Sequence, residues 1–180
     1  MEYHLSLPVS DPEISKLHVG DVLYVTGTVF TARDEAHHKL LKLGRAKVPL
    51  DLSQMALYHC GPLMKQTNDS WEVISAGPTT SSRMELFEDR FLDQFGVKLI
   101  IGKGGMGKKT LQALKKTKAV YTAFTGGAGA LAADAVDRFI DVLWLEELGM
   151  PEAVWVFSVK EFGPLIVAMD ANEQSLYNLE

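Results

Sequence analysis

Short apolar stretches rich in β-branched and aromatic residues recur along the chain with turn formers between them. This pattern predicts strands at 21–32, 55–60, 71–76, 97–101, 119–124, 153–159 and 164–170. Apolar positions return at helical spacing over 33–44, 81–96, 108–117 and 130–149, and several of these runs close on a glycine, a common C-terminal stop. The two periods alternate, which predicts a layered α/β domain with helices flanking a sheet. "EFGPL", between the last two strands, predicts an antiparallel reversal, so the sheet is read as mixed rather than purely parallel. No repeat, low-complexity tract or linker interrupts the pattern, and residues 1–180 are read as one domain.

Composition narrows the class. A chain of 180 residues buries about 70% of its unfolded surface without staples. Its 47% hydrophobic and 23% charged content, with a mean hydropathy of +0.03, fits a globular protein with a solid core. The apolar runs are strand-sized, and the first 20 residues carry acids where a signal peptide has a basic start and an apolar centre. The expected location is therefore cytoplasmic, with no membrane contact. Eighteen basic against 23 acidic residues, a net charge of −5, argues against a nucleic-acid surface. The single cysteine, Cys60, rules out an internal disulfide and any multi-cysteine zinc or iron–sulfur site built from this chain alone. Its plain reading is a small buried hydrophobe at a strand end.

"VKLIIGKGGMGKKT" (97–110) carries two overlapping phosphate fingerprints, and both are incomplete. Gly102, Gly104 and Gly107 satisfy G-x-G-x-x-G, but no acid for a ribose follows before Asp134. The P-loop pattern fails at Lys109, which sits where a hydroxyl meets magnesium.

Polar groups with chemical potential collect at three strand-to-helix corners: Arg33 with His37 and His38, then Thr79 to Arg83, then Lys103 in its glycine turn. Taken singly, each has a plain explanation. Arg33 and Arg83 read as surface cations, His37 as a packed or solvated histidine, and Ser82 with Glu85 as a capping box. Taken together, strand ends of an α/β sheet converge on one edge, so three cations beside free helix N–H groups form an anion pocket. Two arginines suit two carboxylates, because a guanidinium holds a carboxylate by paired hydrogen bonds.

"ARDEAHHKLL", "YHCGP", "SAGPTTSSRM", "GKGGM" and "FGPLIVAMDANE", in this order, resemble the C-terminal domain of class I fumarases, or the β subunit where that enzyme is split. L-tartrate dehydratase β subunits share the pattern. The resemblance covers nearly the whole chain and implies a swivelling β/β/α type of fold. It further implies reversible hydration of fumarate to L-malate at a 4Fe-4S cluster held by a partner α subunit and not by this chain, in an α2β2 hetero-oligomer acting on a C4 dicarboxylate. Position by position, it makes Arg33 and Arg83 carboxylate clamps and sets Thr79 and Thr80 in the substrate wall. Lys103 completes the pocket, and the backbone at Gly104 and Gly105 approaches the substrate closely. Thr79 takes the role of base, and since a threonine hydroxyl is a poor base it needs activation, for which Lys103 is the nearest candidate by motif. Ala32 stands where the family commonly has glycine, which puts the loop around Arg33 in question. Two further readings stay open: tartrate dehydration to oxaloacetate, and a non-catalytic carboxylate-binding regulatory module.

Overall fold

The computed structural model describes residues 1–124 and 129–179. In chain order its elements are β1 (Glu2–Ser6), α1 (Asp11–Ile14), β2 (Val22–Thr31), α2 (Asp34–Leu43), β3 (Ala56–Tyr58), β4 (Leu63–Gln66) and β5 (Trp71–Ser75). There follow α3 (Glu88–Phe95), β6 (Leu99–Gly102), α4 (Lys108–Thr117), β7 (Val120–Ala123), α5 (Gly129–Asp134), β8 (Val136–Leu143), α6 (Leu145–Leu148) and β9 (Val154–Met169). Three 3-10 turns complete the set, of which Ser81–Leu86, just before α3, belongs to the site.

The main sheet runs β1-β2-β3-β6-β7-β9-β8. Strands β2, β3, β6 and β7 pair in parallel, so their carboxyl ends emerge on one edge. Strand β9 is antiparallel to β2, β7 and β8. Because β9 pairs with both β2 and β7, the sheet closes on itself through β2, β3, β6, β7 and β9. Alternation along the strands then divides the core. Ala56, Tyr58, Leu99 and Ile101 point into the closed sheet and meet Trp155, Phe157, Phe162 and Leu165. Leu57 and Ile100 point outward and pack beneath α2, α3 and α4 against Leu40, Phe91, Leu92 and Leu114. The mixed, helix-flanked sheet expected from the sequence is present.

Three expectations are corrected. The segment 130–149 is not one helix but α5, strand β8 and α6. Register shifts lie between Val136 and Arg138 and between Phe139 and Asp141, so the positions packed on the core fall at Val136, Phe139 and Val142. Bulges have stretched a period of two toward three, and that spacing mimics a helix face. "EFGPL" does not reverse the chain: β9 runs through it, and its turn formers are absorbed where three residues of β9 oppose two of β2, once between Phe162 and Leu165 and once between Val159 and Phe162. Glu161, at φ 50°, lies inside the second of these irregularities. The predicted helix 81–96 divides into the 3-10 turn and α3. Strands β1 and β4 were not expected; each is short, and β4 buries only Met64.

Trp155 is fully buried at the meeting of β2, β8 and β9, stacks edge-on against Trp71 and Phe139, and donates its indole N–H to the Met150 carbonyl. Trp155→Ala is expected to cost about 3–5 kcal/mol, read as a lower urea midpoint at unchanged slope.

Candidate functional site

The three corners converge as the parallel strand ends require. Arg33 follows β2, His59 follows β3 and Lys103 follows β6. The segment carrying Thr79 and Thr80 is threaded between the last two: the Thr79 N–H donates to the His59 carbonyl at 2.8 Å, Thr80 bridges Lys103 in parallel, and the Ser81 N–H donates to the Lys103 carbonyl at 3.0 Å. Thr79 and Thr80 therefore act as a short extra strand at the sheet edge.

Arg83 donates through Nε and Nη2 to the Asp34 carboxylate, at 3.2–3.4 Å, and through Nη2 to Thr79 Oγ1 at 3.2 Å. Burial raises the Asp34 pKa, but the hydrogen bonds and charge of Arg83 outweigh this and hold it below the usual carboxylate range. The cation touching the Thr79 hydroxyl is thus Arg83. The Lys103 side chain makes no hydrogen bond or ion pair among the described residues, so the sequence-based choice of Lys103 as the neighbour of Thr79 gives way to Arg83. Arg33 is half-buried, with Glu152 Oε1 at 3.3 Å from its Nε but out of line, which leaves that buried N–H without an aligned acceptor. Ala32 packs fully buried in the helix-side core, and its N–H meets the Tyr58 carbonyl, so its methyl group is accommodated. Thr80 and Gly104 are exposed. Gly104 takes φ 73°, and its carbonyl accepts from the hydroxyls of Tyr121 and Tyr177. The Gly105 position faces the Tyr177 ring, where an added Cβ would stand 3.0 Å from it, so its small size serves packing within the chain.

Beneath this surface lies a network that the sequence reading passed over. Glu88, His37, His59 and Ser81 are fully buried. His37 Nδ1 lies 2.7 Å from the Arg33 carbonyl, which only accepts, so that nitrogen carries a proton. Its Nε2 faces the Glu88 carboxylate at 3.3 Å, which calls for a second proton and makes the ring an imidazolium. His59 Nε2 donates to Glu88 Oε2 at 2.8 Å, and Nδ1 then accepts from the Ser81 hydroxyl at 2.8 Å. Ser81 Oγ in turn accepts the Lys103 N–H at 3.1 Å. The shifts agree with this inventory. Burial raises the Glu88 pKa, but both histidines outweigh it and bring it to about 2. Burial lowers His37, yet the Glu88 charge carries it above its ordinary value, while for His59 burial prevails and the pKa falls. The three side chains also have the composition of a metal site, but their polar atoms are already satisfied by one another, by the Arg33 carbonyl and by the Ser81 hydroxyl. A Cβ on Gly102 would stand 1.9 Å from Ser81 Oγ, so this glycine is what lets the network pass under β6.

Glu85 has a different role from the expected capping box. Its carboxylate accepts from the N–H groups of Gly107, Lys109 and Thr110 and from the Thr110 hydroxyl, at 2.6–3.3 Å. It thus fills the N-terminus of α4, where a phosphate would sit in a nucleotide fold, and this gives the incomplete fingerprints a structural reason. Cys60 is fully buried in the core, where burial pushes its thiol well up, in keeping with its plain reading.

Glu88 was findable: it precedes Phe91, Leu92 and Phe95 at helical spacing, a lone charge on the apolar stripe of α3. Glu88→Gln leaves a buried imidazolium without its counterion and is expected to cost about 3–5 kcal/mol at pH 7, measured by urea unfolding. Because the folded pKa of Glu88 is depressed, its stabilisation is present above its ordinary 4.5 and lost as pH falls toward about 2. Circular dichroism along an acid titration should show this loss in the parent chain and a flatter curve in the variant.

Residues 2–179 match the protein family described as Fumarase C-terminus. The chain is 47% identical over 176 residues to the L(+)-tartrate dehydratase subunit beta of Escherichia coli K12, covering 98% of this chain and 87% of the relative. It is 46% identical over 179 residues to a putative L(+)-tartrate dehydratase subunit beta of Methanocaldococcus jannaschii, covering 98% and 91%. It is 42% identical over 174 residues to a putative fumarate hydratase class I of Geobacillus stearothermophilus, covering 96% of this chain and 33% of that longer protein. With a match across nearly its full length, on a fold whose strand ends gather the family's motifs at one edge, the chain belongs to the Fumarase C-terminus family.

Proposed function

We propose that this chain is the β subunit of a hydro-lyase that interconverts L-malate and fumarate, acting with an α subunit that carries a 4Fe-4S cluster. The observation that carries the reading is Thr79, placed at the joined strand ends and hydrogen-bonded by a cation that is itself held by a carboxylate. The tartrate names of two relatives favour a second reading with the same groups, dehydration of L-tartrate to oxaloacetate.

The residues of this chain do not fit a cluster of their own. Its one cysteine is buried in the core with its thiol held protonated. The cluster is assigned to the partner, in an α2β2 hetero-oligomer, and no step is derived through it. No helix among the described residues is long and apolar enough to cross a membrane.

Within this reading Arg33 and Lys103 receive the carboxylates of the C4 substrate. The exposed part of the Arg33 guanidinium and the Lys103 ammonium, which has no side-chain partner among the described residues, supply donors. Arg83 keeps Asp34 on one edge and adds a hydrogen bond to the Thr79 oxygen, which favours the oxyanion form of a hydroxyl that is otherwise a weak base. Thr79 Oγ1 then takes the C3 proton, the C2–O bond breaks with loss of hydroxide, and the electron pair left at C3 forms the double bond. Cations around the neighbouring carboxylate stabilise the charge that builds as the proton leaves. Thr80 and the Gly104 turn line the exposed side.

Arg83→Ala is expected to keep the fold and lower kcat/KM by at least about 2 kcal/mol of transition-state stabilisation. Near-normal turnover would remove Arg83 from the site. Lys103→Ala should reduce kcat more than it raises KM, and an effect on KM alone would leave Lys103 as a ground-state clamp. The functional assignment itself is tested by anaerobic capture of the tagged chain with its partner, following fumarate absorbance on adding L-malate. Oxaloacetate from L-tartrate, with silence on malate, selects the second reading. A capture free of iron and partner selects the carboxylate-binding module.

A further inference from the structure

The reaction proposed above leaves the buried network without a part, yet that network runs unbroken between two corners of the site. Read from one end, the Lys103 N–H donates to Ser81, Ser81 to His59, His59 to Glu88, and the His37 imidazolium donates both to Glu88 and to the Arg33 carbonyl. The backbones of two of the pocket's cations are thus the two termini of one chain of hydrogen bonds. One carboxylate and one imidazolium sit inside it, so the chain is electrically neutral and leaves the positive field of the pocket intact.

We propose that His59 is a positioning residue whose uncharged ring aims the Ser81 hydroxyl and thereby holds the Lys103 turn, and that protonation of this ring releases the turn. The groups facing His59 set the terms. Glu88 faces it from α3, His37 and Asp34 from α2, Ser81 from the 3-10 turn, and the Tyr121 hydroxyl comes up from β7 beside the same Gly102 gap. With a proton on Nδ1 the ring no longer accepts from Ser81. The serine oxygen then faces two donors, the ring N–H and the Lys103 N–H, and its own proton must turn elsewhere. Two imidazoliums would also share one carboxylate, leaving a net positive charge in a site sealed from water. Of the two donors to that oxygen the Lys103 N–H stands farther off, at 3.1 Å against 2.8 Å for the ring nitrogen, and it is the one displaced.

The test is histidine and amide NMR on the full chain across pH. At pH 7 the expected His37 ring is cationic and the His59 ring neutral with its proton on Nε2. On acidification the His59 ring and the Lys103 amide should shift with one midpoint, and the Lys103 amide should stop titrating in His59→Gln. A Lys103 amide that does not titrate, or that titrates alike in His59→Gln, overturns the proposal. Should that variant not fold, Ser81→Ala serves: the ring must still titrate while the Lys103 amide no longer follows, and continued coupling overturns the proposal equally. The kinetic consequence rests on the hydro-lyase reading. In the complex with its partner, wild-type kcat should fall about tenfold per pH unit below the His59 midpoint, and His59→Gln should lack this limb. A limb retained in the variant counts against the proposal. A complex silent on malate and tartrate removes the hydro-lyase reading alone, because the NMR coupling is measured without turnover.

Discussion

A carboxylate sealed from water is the constraint on which the strand-end edge of this protein depends. Glu88 has no route to solvent, and it stays ionised because one histidine beside it is charged and the other donates to it. A lone buried charge is strongly unfavourable, whereas a paired one is tolerated when its hydrogen bonds are complete. Completing them takes α2, β3 and the turn before α3 at once, so the helix layer and the strand ends must arrive in one register. The same requirement explains Gly102, which leaves room for the Ser81 hydroxyl to reach under β6.

Above this layer the protein disposes its acids and bases selectively. Glu85 satisfies the start of α4 from within, Asp34 orients Arg83, and Glu152 stands beside Arg33. Each carboxylate removes freedom from a donor group without covering all of it. What remains outward, the free edge of the Arg83 guanidinium beside the Lys103 ammonium, is a pair of cationic donor groups, and a guanidinium edge suits a carboxylate better than a phosphate chain.

Much of the architecture was legible because it rests on local pattern. Strands β2, β3, β5, β6 and β7 and helices α2 and α4 follow directly from the alternation of apolar residues and from their caps. The failures were at places where distant pairing overrides local signal. Strand β8 owes its three-residue spacing to bulges against β9, and the turn formers of "EFGPL" are tolerated inside a strand because β2 pairs on both sides of them. The corners were recognisable from Arg33, Thr79, Arg83 and Lys103, since cations and hydroxyls at strand ends stand out against apolar runs. The partner of each was not, because Arg83 meets Asp34 only through the fold, 49 positions apart in the chain. His59, quoted within a motif, gave no sign that it faces Glu88, although the charge on the apolar stripe of α3 announced that some buried partner existed.

The closure of the sheet bears on how the protein is made. Val22 at the start of β2 pairs with Ile166 near the end of β9, and Trp155 donates to Thr31 across 124 positions. During synthesis β2 leaves the ribosome long before its antiparallel neighbour exists, and its apolar inner face stays uncovered until β9 has emerged. Such late, distant pairing slows folding and lengthens exposure to aggregation, so the nascent chain is the stage at which the uncovered face of β2 is a liability.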